Sequence, residues 1–176
     1  MLNNKLNNKK TFTIIETLVT LLVVSIMIVG PVTFAYKSFV YSKFVKGKIE
    51  ALSLSQEGLE LATSLRNGSN TSSDFVTLAN ACGIGCSIDW NGESNLPTLT
   101  SCQDETCRLL QSSADSNKTF RHIGDINTDY YRQLVFKKNQ GNSYLVTSKV
   151  WKVKDDGDIA VEVELKKNIF IYTIEY

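Results

Sequence analysis

The sequence predicts an α+β fold: a long N-terminal helix, its first half able to span a membrane, packed through its second half on a small antiparallel sheet. Three observations predict it. From Ile14 to Ala35 the only ionisable residue is Glu16. From Tyr36 onward apolar residues recur at three- and four-residue spacing, and no stop signal comes before Asn67-Gly68. Near the other end, Ile159, Val161, Val163 and Leu165 alternate with Ala160, Glu162, Glu164 and Lys166, the pattern of a strand with one packed and one wet face. One helix against an antiparallel sheet is an α+β arrangement.

The first element is the apolar run. At ~1.5 Å per residue Ile14–Ala35 makes a helix of roughly 33 Å, enough for a hydrocarbon core of ~30 Å. Lys5, Lys9 and Lys10 precede it without an acid, an asymmetry that keeps the N-terminal side in the cytoplasm. Glu16 is the exception within the run. A carboxylate in hydrocarbon costs ~2.5–3.5 kcal/mol or more near the bilayer centre and less at the interface. It therefore asks for a partner. Gly30-Pro31 sits deeper in the run; a proline inside a helix removes a hydrogen bond and kinks the axis.

A short basic leader, then Phe12-Thr13-Ile14-Ile15-Glu16, then an apolar helix, resembles the type IV prepilins and the related pseudopilins. The resemblance implies cleavage between Thr11 and Phe12 by a prepilin peptidase and N-methylation of the new Phe12 amine. It also implies a salt bridge from Glu16 to the Phe12 amine of a neighbouring subunit, and a helix kink at Gly30 and Pro31. Cleavage would create a cation where none existed, and opposite charges attract more strongly in an apolar bundle than in water. Thr11 departs from the family, which mostly has Gly before the cut. A secretory signal or an uncleaved anchor also has a basic start and an apolar core, with Thr33-Phe34-Ala35 as a weak cleavage signal. Neither of those accounts for Glu16.

The domain boundaries follow: residues 1–11 a cytoplasmic leader, 12–35 the membrane or filament-core helix, 36–66 its amphipathic continuation, and 67–176 a globular head. In the continuation Val45, Ile49, Leu52, Leu59 and Ala62 form the apolar stripe, widened by Leu54, Leu61 and Leu65. Lys43, Lys46, Lys48, Glu50, Glu57 and Glu60 supply the polar face.

The head begins with a Ser/Asn/Gly/Thr loop, and Ser73 or Asp74 can cap a short helix through Asn80. Residues 81–107 read as irregular, with one short strand at 87–90. Strands are expected at 119–123, 131–137 and 144–153, then over the alternating run from Ile159, with a separate last strand at 169–176. Gly141-Asn142 and Asp155-Asp156-Gly157-Asp158 read as the turns between them.

Cys82, Cys86, Cys102 and Cys107 all lie beyond the apolar run. An exported position favours disulfides over a four-thiolate zinc site. Four cysteines allow three pairings. Short loops, with Gly83 and Gly85 for tight turns, favour Cys82–Cys86 and Cys102–Cys107, and the other pairings stay open. Asp155, Asp156 and Asp158 are hard-oxygen ligands of the kind calcium takes, but Asp-Gly is common in plain hairpin turns. Asn67, Asn70 and Asn117 begin sequons that match glycosylation acceptors.

Catalytic chemistry finds little purchase. His122 is the only histidine and sits in a strand-like pattern. There is no nucleophile signature, phosphate-binding loop or dinucleotide fingerprint. The 176 residues carry a formal charge of +1, and removing Lys5, Lys9 and Lys10 brings it to −2, so nucleic acid is not indicated. The expectation is a structural subunit, not an enzyme, with no cofactor and no metal. The resemblance implies as partners copies of itself, other pilins or pseudopilins, prepilin peptidase, the assembly machinery, and the lipid bilayer before assembly. It implies a single-pass protein of the cytoplasmic membrane with its head outside, and then a surface or periplasmic filament of a type IV pilus or type II secretion-like system. The alternative is a single-span, membrane-anchored extracytoplasmic binding protein that does not polymerise.

Overall fold

The computed structural model describes residues 13–69, 72–90, 96–111, 119–122, 124–139, 141–154 and 156–171. The chain divides into two compact units, Met1–Lys43 and Phe44–Tyr176. In the first, every described residue is exposed and helical from Ile14 onward. This is the start of α1 (Ile14–Gly68), which contains Pro31 and remains α-helical across it. The stop at Asn67-Gly68 is where the sequence places it.

In the second unit α1 lies on an antiparallel sheet, the α+β layout expected. α2 (Ser72–Ala81) follows, then β1 (Cys86–Asp89), β2 (Thr98–Ser101), a 3₁₀ turn at Asp104–Cys107, β3 (Arg108–Gln111), β4 (Ile126–Lys138), β5 (Ser143–Val153) and β6 (Ile159–Phe170). The strand order is β2-β1-β4-β5-β6, and β3 also pairs with β4. β1 meets β4 at Leu134, whereas β3 pairs with its earlier part between Ile126 and Tyr131. Two short strands therefore share one edge of β4.

Several expectations change. The run from Ile159 to Phe170 is one strand, paired with β5 through Lys166, Lys167 and Asn168. The expected break at Lys167 and Asn168 is absent because pairing with Val146 and Leu145 carries the ladder through them. The expected strand at 119–123 reduces, among the described residues, to a single bridge between Leu110 and Arg121. The region read as irregular contains β2 and the 3₁₀ turn, and β3 follows it directly.

The sheet-facing side of α1 matches the expected stripe only in part: Leu54, Leu59, Ala62 and Leu65 are buried as expected, and small residues take the other places. Its buried residues are Gly47, Ala51, Leu54, Ser55, Gly58, Leu59, Ala62 and Leu65. Ile49 is 62% and Leu52 39% exposed. Small residues recur along the contact and let the helix backbone approach the strands closely. A Cβ on Gly58 would come 2.8 Å from Ser148 Oγ and 3.2 Å from Arg132 Cδ.

Two apolar clusters form the core. One joins Leu59, Ala62 and Leu65 to Phe75 on α2 and to Leu134, Phe136, Tyr144 and Val146 on β4 and β5. Phe75 meets Phe136 and Tyr144 edge-on, at 6.2 and 5.9 Å between ring centroids. The other joins Ala51 and Leu54 to Leu109, Tyr130, Val150 and Val161. Between them lies a polar layer made by Ser55, Arg132 and Ser148, all fully buried.

Candidate functional site

The apolar half of α1 is the first candidate. It is the one helix among the described residues long and apolar enough to cross a membrane, and its apolar stretch is not buried. Its hydroxyls are satisfied within the helix. Thr17 donates to the Ile14 carbonyl at 2.7 Å, Thr20 to Thr17 at 2.9 Å, Ser25 to Leu21 at 2.7 Å, and Thr33 to Gly30 at 2.8 Å. A hydroxyl bonded this way brings no open polar group into hydrocarbon. Gly30 has nothing within 4 Å of where a side chain would begin.

Glu16 lies in the first turn of α1. Its backbone N–H donates to the Thr13 carbonyl at 3.0 Å and is 3.4 Å from Thr13 Oγ1. Thr13-x-x-Glu16 has the spacing of a capping box, and an acid in the first turn complements the helix dipole. The bonds seen here are made by the Glu16 backbone, not by its carboxylate. Thr11 and Phe12 lie outside the described residues.

The cysteines form the two local pairs. Cys82 and Cys86 have sulfurs 2.03 Å apart, and Cys102 and Cys107 have theirs 2.10 Å apart. The first bridge joins the end of α2 to the start of β1. The second closes the 3₁₀ turn. Asp156 and Asp158 lie in the β5–β6 hairpin, where Asp156 accepts the Asp158 backbone N–H at 3.1 Å, as turn aspartates do. Asp155 lies outside the described residues. Among the described residues no group of three His, Cys, Asp or Glu side chains is placed to hold a metal ion.

The sequence reading missed Arg132. Its guanidinium, fully buried, donates from Nη2 to the Ile88 carbonyl at 2.9 Å and from Nη1 to the Leu54 carbonyl at 3.4 Å. Nη1 also lies 3.4 Å from Glu57 Oε1. It ties α1, β1 and β4 together at the polar layer. A signal was present: Tyr130, Arg132, Leu134 and Phe136 share one face of β4 by simple alternation, so a buried Leu134 implies a buried Arg132. Beside it, Tyr130 donates its hydroxyl to Glu50 on α1. Burial first, then that carboxylate, pushes the phenol's pKa up.

His122 belongs to the same neighbourhood. Its Nδ1 is 3.1 Å from the Arg108 carbonyl; a carbonyl only accepts, so Nδ1 carries the hydrogen. Its backbone N–H donates to Asp89 Oδ2 at 3.0 Å. Burial, then the charge of Arg132, lowers its pKa to about 4, against a smaller opposing pull from the Arg108 carbonyl. The ring is therefore neutral at pH 7.

No family model matches the chain, and neither the curated proteins nor the solved structures give a match.

Proposed function

We propose that this chain is a filament subunit of the type IV pilin or pseudopilin kind, anchored in the cytoplasmic membrane by the first half of α1. On this reading it is assembled through that helix after prepilin peptidase removes the residues before Phe12. The observation that carries the proposal is the sequence Phe12-Thr13-Ile14-Ile15-Glu16 behind a basic leader and at the head of an apolar helix. The layout supports it: α1 is apolar and exposed over its first half and packs on a disulfide-bearing α+β head over its second. The helix would wait in lipid and exchange lipid for neighbouring helices on assembly. Glu16 would then be the counter-ion of a neighbour's Phe12 amine.

The second reading, an anchored binding protein that does not polymerise, is favoured by one observation. Thr13 and Glu16 have the spacing of a capping box, and an acid in the first turn of α1 complements the helix dipole without a second chain.

The experiment compares the amount of this protein in sheared surface filaments with the amount left in membranes, for wild type, Glu16→Ala and Glu16→Gln. Breaking a buried pair by removing one partner costs ~3–5 kcal/mol, so both variants should insert and fold but largely fail to enter filaments. An unchanged ratio in both makes Glu16 a capping residue and leaves the simple anchor. Intact mass adds a second check: a mature chain beginning at a methylated Phe12 is expected, and an intact Met1 in peptidase-competent cells would count against cleavage.

A further inference from the structure

The face of the sheet turned away from α1 carries a cleft that the filament reading does not use. Tyr131 and Trp151 are direct cross-strand partners on β4 and β5. Their rings stack nearly parallel, 10° apart in plane and 5.4 Å between centroids. Arg108 fixes the tyrosine: its Nε donates to Tyr131 Oη at 2.8 Å, and its guanidinium carbon lies 5.1 Å from the ring centroid. A cleft of about 350 Å³ opens beside this stack, lined also by Gln133, Lys149 and, from the 3₁₀ turn, Asp104 and Glu105. That size falls in the ~300–1,000 Å³ range of small-ligand sites.

The acidic wall is built and held. Asp104 has φ 45°, a left-handed conformation uncommon outside glycine that persists only where the surroundings enforce it. Here the Cys102–Cys107 bridge closes the turn, and the Gln103 N–H donates to Thr106 Oγ1 at 2.7 Å. Gln133 Nε2 donates to the Cys102 carbonyl at 3.4 Å, which links the turn to β4. Opposite, Lys149 pairs with Glu162 at 3.0 Å and lies 5.8 Å from the Trp151 ring centroid.

We propose that this cleft binds a saccharide, neutral or N-acetylated, through the Trp151 ring and the Asp104 and Glu105 carboxylates. The argument is one of chemical fit. A sugar ring has apolar C–H faces that pack on an indole and a rim of hydroxyls that donate to carboxylates, bonds stronger than neutral ones. A polyanion is disfavoured, because among the described lining residues the one cation, Lys149, is already paired with Glu162, while Asp104 and Glu105 are both acidic. A purely apolar ligand would leave those carboxylates desolvated without partners. The inference stands whether or not the chain polymerises.

The test uses the full-length chain in phosphatidylcholine nanodiscs, free of sugar-based detergent, observed by the indole N–H resonances of its two tryptophans. Chitotriose, maltotriose and an oligothymidylate are titrated separately. Saturable movement of the Trp151 resonance with at least one trisaccharide is expected, with Trp90 as the internal reference. Trp151→Ala, read through sugar saturation-transfer signals, should weaken binding about tenfold or more, the scale of a lost aromatic packing contact. Trp151→Phe should retain most of the affinity, and the exposed Glu105→Gln should lower it without changing the melting temperature. No saturable response to either trisaccharide overturns the proposal. So does binding that survives both Trp151→Ala and Glu105→Gln, or a response to the oligothymidylate alone, which would make the face a nucleic-acid surface.

Discussion

Arg132 Nη1 lies 3.4 Å from Glu57 Oε1, yet the arginine side chain has no exposed surface while 47% of the glutamate side chain is in contact with water. The pair is therefore unequal. For Arg132 the carbonyls of Leu54 and Ile88 are the enclosed partners, and Glu57 is a screened addition at the rim. Arg132→Ala should destabilise the head by ~3–5 kcal/mol, through a cavity and lost charge-assisted bonds. Glu57→Gln should cost no more than ~1 kcal/mol, as exposed ion pairs do. Arg132→Met fills similar space with no charge to desolvate and should recover much of the loss. Chemical denaturation of the full chain in nanodiscs, followed by tryptophan fluorescence, measures all three. Equal losses for Glu57→Gln and Arg132→Ala would place the energy in the ion pair instead.

Gly58 and Gly47 give a paired test of the helix–sheet contact. At Gly58 an added Cβ meets Ser148 Oγ at 2.8 Å and Leu134 Cδ1 at 3.4 Å. Gly58→Ala should cost ~1–3 kcal/mol by overpacking, despite the better helix propensity of alanine. At Gly47 the nearest atoms are 3.6 and 3.7 Å away, ordinary contact. Gly47→Ala should stabilise by roughly 0.5–1 kcal/mol. Melting temperatures moving in the same direction would show that the contact spacing is not what sets these two positions.

His122 predicts a pH dependence. Its pKa is about 4 in the fold against 6.5 for a free side chain. Between those values the unfolded chain binds the proton and the folded chain does not. The contribution of the neutral ring is full above pH 6.5, falls as the pH drops, and levels off below about pH 4. The span is on the order of 3 kcal/mol. Denaturation midpoints from pH 7 to pH 4 should fall in wild type, and His122→Asn should flatten that part of the profile. A parallel fall in the variant would assign the slope to carboxylates.

All four cysteines are bonded in the structure. Alkylation without reductant should label none of them in protein taken from its native membrane. Replacing either pair with serine should cost ~2–5 kcal/mol, toward the low end because the closed loops are short. Four reactive thiols in native protein would place the head in a reducing compartment and remove one support for export.

Much of this fold is legible in the sequence where a pattern runs long enough. The apolar first half of α1, the helix end at Asn67-Gly68, β5, and the alternating start of β6 all declare themselves. β2 does not, because Thr98–Ser101 is mostly exposed and exists by pairing with β1. β6 reads as two strands because Lys167-Asn168 looks like a break, and only the partner strand shows that it is not. Ile49 and Leu52 misdirect the helix face, since a count of large apolar residues cannot see that Gly47, Ser55 and Gly58 are what the sheet requires. Arg132 escapes for a similar reason: its burial follows from the face it shares with Leu134, not from its own chemistry. The saccharide cleft joins residues from the 3₁₀ turn, β4 and β5, and no spacing in the sequence announces it.

The two disulfides also bear on how the head would carry tension. They span sequence separations of 4 and 5 residues, with the bridged Cα atoms 5.3 and 5.2 Å apart, so they shorten a fully drawn chain by only about 20 Å at ~3.3–3.6 Å per residue. Neither bridges α1 to the sheet or β4 to β6. A pull on the C-terminal end of β6 would peel it from β5 one ladder bond at a time, with no covalent stop. A pull along α1 would instead load the Arg132 layer and the close-packed glycines together, in shear. The head is thus braced locally against fraying and left without a covalent brace against being unravelled from β6.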